Sequence, residues 1–294
     1  MSGLVSSDQI EAFQRDGVLH IPSLIEERAL DPLRRAIDDL LAAVSENPVV
    51  NNVTAWAAKA KAAGEAVLSD RDGLATGRFL VRPNTWSEDA RIHDFAFNSV
   101  LPEVAALLMS ADRLSFLGDQ LFLKEPGSIY RTAFHQDSGY FHCFGDQCCL
   151  FWVSLDRVTR ESSVMGYVPG SHRWDRDFSA NAFAHRAPLP GAEGETMPSI
   201  EDNEAAYGVR NIETAPGDVI VHHYKTVHGA TGNISSTSTR RAAAFRYLGP
   251  DMRYREKPGA PPNTFKSTEL NEGDPVISSE YPLVWPRASA STSV

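Results

Sequence analysis

The chain has 294 residues, with 28 Lys and Arg against 38 Asp and Glu, a net charge of −10, and 42% hydrophobic residues. That balance disfavours a phosphate-backbone partner, which requires clustered Lys and Arg, and no stretch approaches the ~18 consecutive apolar residues of a membrane-spanning helix. The start, 1–9, lacks the basic and apolar stretches of a secretory signal, and Cys143, Cys148 and Cys149 cannot all pair within one chain, so a cytoplasmic location is expected.

Ser6, Ser7 and Asp8 supply N-cap candidates for a short helix over 9–15, which Asp16-Gly17 ends. Residues 18–22 read as a strand. A longer amphipathic helix is expected over 26–44, where Leu30, Leu33, Ile37, Leu40 and Leu41 recur at helical spacing. Between 48 and 90 the pattern is less regular, with a helix candidate at 55–67 and a strand candidate at 78–82. The stretch 94–108 resumes a helical pattern.

From about Leu114 the texture changes. Short apolar runs at 121–123, 149–155, 163–168, 219–223 and 242–248 are separated by turn signals at Pro126-Gly127, Pro169-Gly170 and Pro216-Gly217-Asp218. Many short strands at such spacing predict a double-sheet barrel or sandwich. Segment 174–208 is a polar, acidic loop, and 286–294 a frayed tail. One domain spanning 1–294 is expected, with a helical N-terminal part to about 112, a β-core over about 113–255, and an extension over 256–294.

The sharpest chemical feature is His135-Gln136-Asp137. On a strand, residues i and i+2 share a face, so this imidazole and carboxylate converge. Two histidines and one carboxylate on one face suit non-haem Fe(II). Downstream, His228 opens His-Gly-Ala-Thr-Gly-Asn233, with His222 and His223 as competing ligands. Arg240 follows twelve residues after His228, and a guanidinium there offers a bidentate fork for the far carboxylate of a chelating keto acid. Arg240, Ala242 and Ala244 share a strand face, and the alanines leave room beside a cofactor.

In its ordered motifs the sequence resembles the phytanoyl-CoA dioxygenase family of Fe(II)/2-oxoglutarate-dependent oxygenases. They are Phe13-Gln-Arg-Asp-Gly17 with Val-Leu-His-Ile-Pro22, Leu121-Phe-Leu-Lys124-Glu-Pro-Gly127, His135-Gln-Asp137-Ser-Gly-Tyr140, Trp152-Val-Ser-Leu-Asp156, Pro169-Gly-Ser-His172, and His228 to Asn233 followed by Arg240. The resemblance implies a double-stranded β-helix (jelly-roll, cupin-like) core. It implies His135, Asp137 and His228 as Fe(II) ligands, Arg240 as the anchor of 2-oxoglutarate, and Lys124 as a further cofactor contact. Trp152 is expected against the cofactor pocket, and His172 in a scaffold turn near the site. The family commonly places the arginine eleven residues after the histidine. The interval of twelve leaves Arg241 as a lesser candidate. Two further departures are Tyr140-Phe141 in place of Tyr-Trp and Glu161-Ser162-Ser163 in place of Glu-Asn-Gly. Related halogenases replace the carboxylate ligand with a small residue, so Asp137 points to an oxygenase.

The implied reaction consumes O2 and 2-oxoglutarate, releases succinate and CO2, and oxidises a small-molecule substrate, hydroxylation of an unactivated C–H bond being the expected outcome. Arg78, Arg82, Arg131 and Arg246 are candidates for an anion patch or for surface ion pairs, and segments 48–90 and 174–208 are expected lids. Two alternatives remain at this level. A cupin-like hydrolase or isomerase using Zn or Mn would need the three ligands and not Arg240, and a binding module would need neither. The sequence does not reveal the oligomeric state.

Overall fold

The structure, a computed structural model, describes residues 3–42, 50–260 and 266–287. Helix α1 (Ser7–Asp16) starts where Ser6 and Gln9 close a capping box and stops at Gly17, whose φ of 69° makes the left-handed cap. A Cβ on Gly17 would lie 2.2 Å from Nδ1 of His172, so both backbone and space demand glycine. Gly17→Ala is expected to cost more than about 1 kcal/mol, read as a lower midpoint in urea unfolding.

Strand β1 (Val18–Ile21) follows as expected. The 26–44 helix is shorter than its pattern: a 3-10 turn at Glu27–Ala29 leads into α2 (Asp31–Ala42). Pro32 explains the late start, since proline fits a first helical turn and not an interior. Residues 43–44 of that expectation, and 288–294 of the expected tail, lie outside the described residues. After β2 (Asn51–Asn52), Asn52 caps α3 (Val53–Ala62) by accepting from the Ala55 amide. Gly64, with φ of 80°, ends the run before residue 67. Strand β3 (Phe79–Pro83) matches the candidate at 78–82. The 94–108 helix is two helices, α4 (Ala90–Asn98) and α5 (Leu101–Met109), because the extended Ser99 ends one and Pro102 starts the next.

The β-core comprises β4 (Leu114–Lys124), β5 (Thr132–His135), β6 (Cys143–Phe144), β7 (Cys148–Ser154), β8 (Met165–Tyr167), β9 (Arg210–Ile212), β10 (Val219–His223), β11 (His228–Ala230), β12 (Arg240–Leu248), β13 (Arg253–Tyr254) and β14 (Leu283–Trp285). The large sheet runs β1-β10-β7-β12-β4-β3-β2 with β14 on β4, and the facing sheet runs β5-β11-β8-β9. Their pairings are antiparallel. This is the expected mostly β, double-stranded β-helix with flanking helices. The N-terminal part is not set apart from it, since β1, β2 and β3 extend the large sheet. The C-terminal extension also returns, as β14.

Alternation along β12 divides the molecule into two layers. Ala243, Phe245 and Tyr247 face Leu33, Ile37, Ile92, Phe95 and Val104 of the helical layer, in one buried cluster. Arg240, Ala242, Ala244 and Arg246 therefore face the space between the sheets, where Trp152, Met165 and Ile220 also pack. The three cysteines are free and buried, and burial raises their thiols, Cys143 to about 12, so none is a ready nucleophile.

Candidate active site

The facing sheet carries two of the converging groups. His135 ends β5 and His228 begins β11, and the two are Cα partners in the ladder. Their ring centroids are 4.3 Å apart. Asp137 is not on a strand as expected but opens a 3-10 turn, Asp137–Gly139. The convergence holds because the intervening Gln136 stays extended (φ −106°, ψ 140°) and turns its side chain the other way. There its amide donates to the Lys225 carbonyl at 2.9 Å and accepts from the Phe178 amide at 3.2 Å.

Each imidazole is held in one orientation. His135 Nδ1 lies 2.8 Å from the Ala133 carbonyl and His228 Nδ1 lies 2.9 Å from the Thr226 carbonyl. A carbonyl can only accept, so Nδ1 carries the proton in both rings and Nε2 presents a lone pair. Those Nε2 atoms stand 3.8 and 3.7 Å from the Asp137 carboxylate oxygens. The three ligand atoms all lie within 4.8 Å of one another. Donors about 2.0–2.2 Å from one ion sit roughly 3–3.7 Å apart, so the cluster is of a size to hold a divalent metal after small closure.

Burial lowers both histidines to about 4, with the neighbouring imidazole adding to the effect at His135, so both rings are neutral at pH 7. Burial alone would raise Asp137, but the surrounding His228, His222 and His135 hold it well below the usual carboxylate range. Neutral imidazoles and an ionised carboxylate are the ligand forms a metal requires.

His222 completes this cluster in a way the sequence left open. Its Nε2 sits 3.1 Å from the second oxygen of Asp137, and its ring packs 4.4 Å from that of His228. It does not join the ligand cluster but hydrogen-bonds to it. His223 points the other way, to the Asp146 carbonyl at 2.7 Å. Period-2 alternation on β10 separates the two, because Val219, Val221 and His223 share the outer face. His172 stacks near His223 at 5.3 Å and contacts the Gln14 carbonyl, tying α1 to the barrel rather than touching the ligands.

Arg240 lies deep between the sheets at 2% exposure. Its Nε reaches the Ser163 carbonyl at 3.4 Å, an Nη reaches the Met165 sulfur at 3.5 Å, and its guanidinium lies 5.0 Å over the Trp152 ring. These partners are neutral, and burial pulls the guanidinium down to about 10. The Tyr167 hydroxyl, fully buried beside it, has no partner among the described residues. A buried cation with only weak neutral contacts and an orphan hydroxyl fit an incoming carboxylate. Arg241, the lesser candidate, faces outward into ion pairs with Asp156 and Asp38, each at 2.8 Å. Ser163, the last residue of the Glu-Ser-Ser departure, adopts φ of 81°, a left-handed conformation costly without glycine.

Lys124 pairs with Arg240 across the ladder, but its ammonium donates to the Thr231 carbonyl at 2.7 Å and the Tyr130 carbonyl at 3.2 Å. Burial pulls it well below the ordinary lysine value. Arg240 and Trp152 line a 60 Å³ inner chamber together with His135, Asp137 and His228, whereas Lys124 stands behind its wall.

Two of the ligand candidates, His135 and Asp137, also border an outer chamber of 460 Å³. Its wall includes Asn51, Trp56 and Pro83 from one expected lid and Asn181, Phe183 and Leu189 from the other. Gly259 and Ala260 of the C-terminal extension close it as well, a contribution no local sequence signal announced. Tyr140 meets His135 edge-on at 5.5 Å and donates its hydroxyl to Asn181, which joins the metal side to the lid.

No helix among the described residues is long and apolar enough to cross a membrane. Among solved structures, the fold resembles the non-heme alpha ketoglutarate dependent carbocyclase SnoK from nogalamycin biosynthesis. That match has a TM-score of 0.66 at 22% identity over 95% of this chain and 96% of the other. EctD from S. alaskensis, solved with 2-oxoglutarate and 5-hydroxyectoine, has a TM-score of 0.62 at 19% identity over 94% and 87% of the two chains. By sequence, a probable phytanoyl-CoA dioxygenase of Caenorhabditis elegans is 22% identical over 85% of this chain and 77% of its own. The profile of the phytanoyl-CoA dioxygenase family (PhyH) matches residues 13–242, most of the chain, and the protein belongs to that family of non-haem iron, 2-oxoglutarate-dependent dioxygenases.

Proposed function

We propose that the protein hydroxylates an unactivated C–H bond of a small molecule, with His135, Asp137 and His228 as the Fe(II) ligands and Arg240 as the anchor of 2-oxoglutarate. The observation that carries the reading is the pairing of a His-Asp-His cluster with a buried arginine that has no ion pair among the described residues, in one 60 Å³ chamber. A metal hydrolase or isomerase would have no use for that arginine. In the overall balance, one atom of O2 enters succinate and the other enters the product alcohol, while 2-oxoglutarate loses CO2.

When bound, the iron supplies the oxidising chemistry. The chain's residues supply the geometry. Nδ1–H bonds to Ala133 and Thr226 aim the two imidazoles. The Trp152 ring and the Ser163 carbonyl hold the Arg240 fork where a distal carboxylate would sit, and Tyr167 offers that carboxylate a further donor. Lys124 supports this arrangement from behind by fixing the Thr231 and Tyr130 carbonyls. The outer chamber, with Trp56, Phe141 and Phe183 in its wall, offers the substrate a largely apolar lining.

The test is anaerobic addition of Fe(II) and then 2-oxoglutarate to metal-free protein, watching for the weak visible charge-transfer band of a chelated keto acid. A band supports the reading. Iron binding without a band overturns it in favour of a hydrolase or isomerase. His222 is expected to act by positioning Asp137, so His222→Ala should weaken Fe(II) binding about 10–100-fold while His223→Ala leaves it unchanged, measured by metal titration.

A further inference from the structure

Among the described residues, those that border both the inner and the outer chamber are Gln120, Thr132, His135, Asp137 and Arg246. They form the neck through which a substrate in the outer chamber meets the metal side. Gln120 lies on β4 opposite Ala244 of β12, whose small side chain leaves it room. Thr132 opens β5 on the facing sheet, opposite Ala230 of β11. Arg246 donates to Oε1 of Gln120 and lies 5.5 Å over the Phe141 ring. A guanidinium has donors only, so the Gln120 amide presents its oxygen to Arg246 and keeps both Nε2 hydrogens for another partner. Among the described residues no protein group accepts from that Nε2, and none meets the Thr132 hydroxyl.

We propose that Gln120 Nε2 and the Thr132 hydroxyl grip a carbonyl oxygen of the substrate at this neck. The enzyme then oxidises a ring-bearing ketone or lactone at a carbon within a few bonds of that oxygen. This rests on the cofactor assignment above. A carbonyl oxygen has two lone pairs and no hydrogen, which matches two donors that approach from opposite sheets. A hydrogen-bonding pair inside a cavity selects sharply, because an analogue without the oxygen leaves both groups unpaired.

The rest of the outer wall sets the body of the ligand. Trp56 on α3 is half-exposed and borders the chamber, as do Leu189, Pro190 and Phe183, whose ring meets Phe79 edge-on at 5.5 Å. These surfaces suit flat apolar rings, and 460 Å³ admits a body of drug-like size. Two other polar side chains of that wall are already committed. The Tyr140 hydroxyl bonds to the Asn181 side chain at 2.8 Å, and the Asn181 amide donates to the Phe134 carbonyl at 3.1 Å.

The probe pair is 1-indanone and indane, a carbonyl in place of a methylene on the same bicyclic frame. Each is titrated calorimetrically into the anaerobic Fe(II)/2-oxoglutarate protein and into the metal-free protein. The ketone is expected to bind on the order of tenfold more tightly than indane in both. Gln120→Glu keeps the acceptor for Arg246 and replaces the donor, so it should remove the preference and leave indane binding unchanged. Thr132→Val should lower the preference severalfold, and Thr132→Ser should restore it. Equal binding of the two probes to the wild type, or no binding of either, overturns the proposal. So does an intact preference, or an equal loss of both probes, in Gln120→Glu or Thr132→Val. If the wild type forms no charge-transfer band, the cofactor reading fails, and the ketone preference of the metal-free protein still decides the role of the neck.

Discussion

His135→Ala is expected to lower Fe(II) affinity by more than about a hundredfold and to abolish the charge-transfer band, while His223→Ala does neither. The size of the effect follows from how few donors converge. The cluster offers three ligand atoms within 4.8 Å of one another, and the groups around it are already committed. His222 cannot step in, because its Nε2 is engaged with Asp137 at 3.1 Å and its ring is fixed between those of Tyr167 and His228. Gln136 is turned to the Lys225 carbonyl. Without His135 only Asp137 and His228 would remain to hold a divalent ion, too few protein donors for tight binding. Equilibrium dialysis with Fe(II) under argon reads the affinity. A His135→Ala protein that keeps both metal and band would remove His135 from the ligand set.

The approach of His135 and Asp137 is legible in the sequence because its geometry is local, whereas His228 joins them through the β5–β11 ladder. His135 and Asp137 are two residues apart, and even with Asp137 on a 3-10 turn the extended Gln136 preserves the shared direction. The inward direction of Arg240 and the outward direction of Arg241 are equally readable, since Arg240 shares its strand face with Ala242 and Ala244, and the outward face is where Arg241 finds Asp156 and Asp38. Alternation on β10 likewise contained the distinction between His222 and His223. Other features depend on tertiary placement. Nothing within the 256–294 stretch signals that Gly259 and Ala260 wall the outer chamber, or that β14 pairs with β4 far back in the chain. Lys124 reads as a cofactor contact on its motif, yet the loop that brings Thr231 and Tyr130 to its ammonium is specified elsewhere. Helix limits at Pro32 and Pro102 follow proline sterics, which override an apolar periodicity that runs straight through them.

Arg240 should show two effects of opposite sign. Arg240→Met is expected to weaken 2-oxoglutarate binding about a hundredfold, a loss of about 2–3 kcal/mol for a bidentate, charge-assisted pair in a dry site. Without the keto acid, the same substitution is expected to raise the melting temperature. The wild-type guanidinium is buried with a carbonyl at 3.4 Å, a thioether at 3.5 Å and a ring face as its near partners, and methionine of similar length removes that desolvation cost while keeping contact with Trp152 and Met165. Adding 2-oxoglutarate with metal should then stabilise the wild type and leave Arg240→Met nearly unmoved, since a ligand stabilises only the fold that binds it. Arg241→Met should behave differently on both counts. It breaks half-exposed ion pairs with Asp38 and Asp156, so its stability falls slightly and its keto acid affinity stays. Thermal scans of the three proteins with and without 2-oxoglutarate, together with titration of the band, separate the cases. Equal 2-oxoglutarate affinity in Arg240→Met and wild type would move the anchor away from Arg240, whatever the melting temperatures showed.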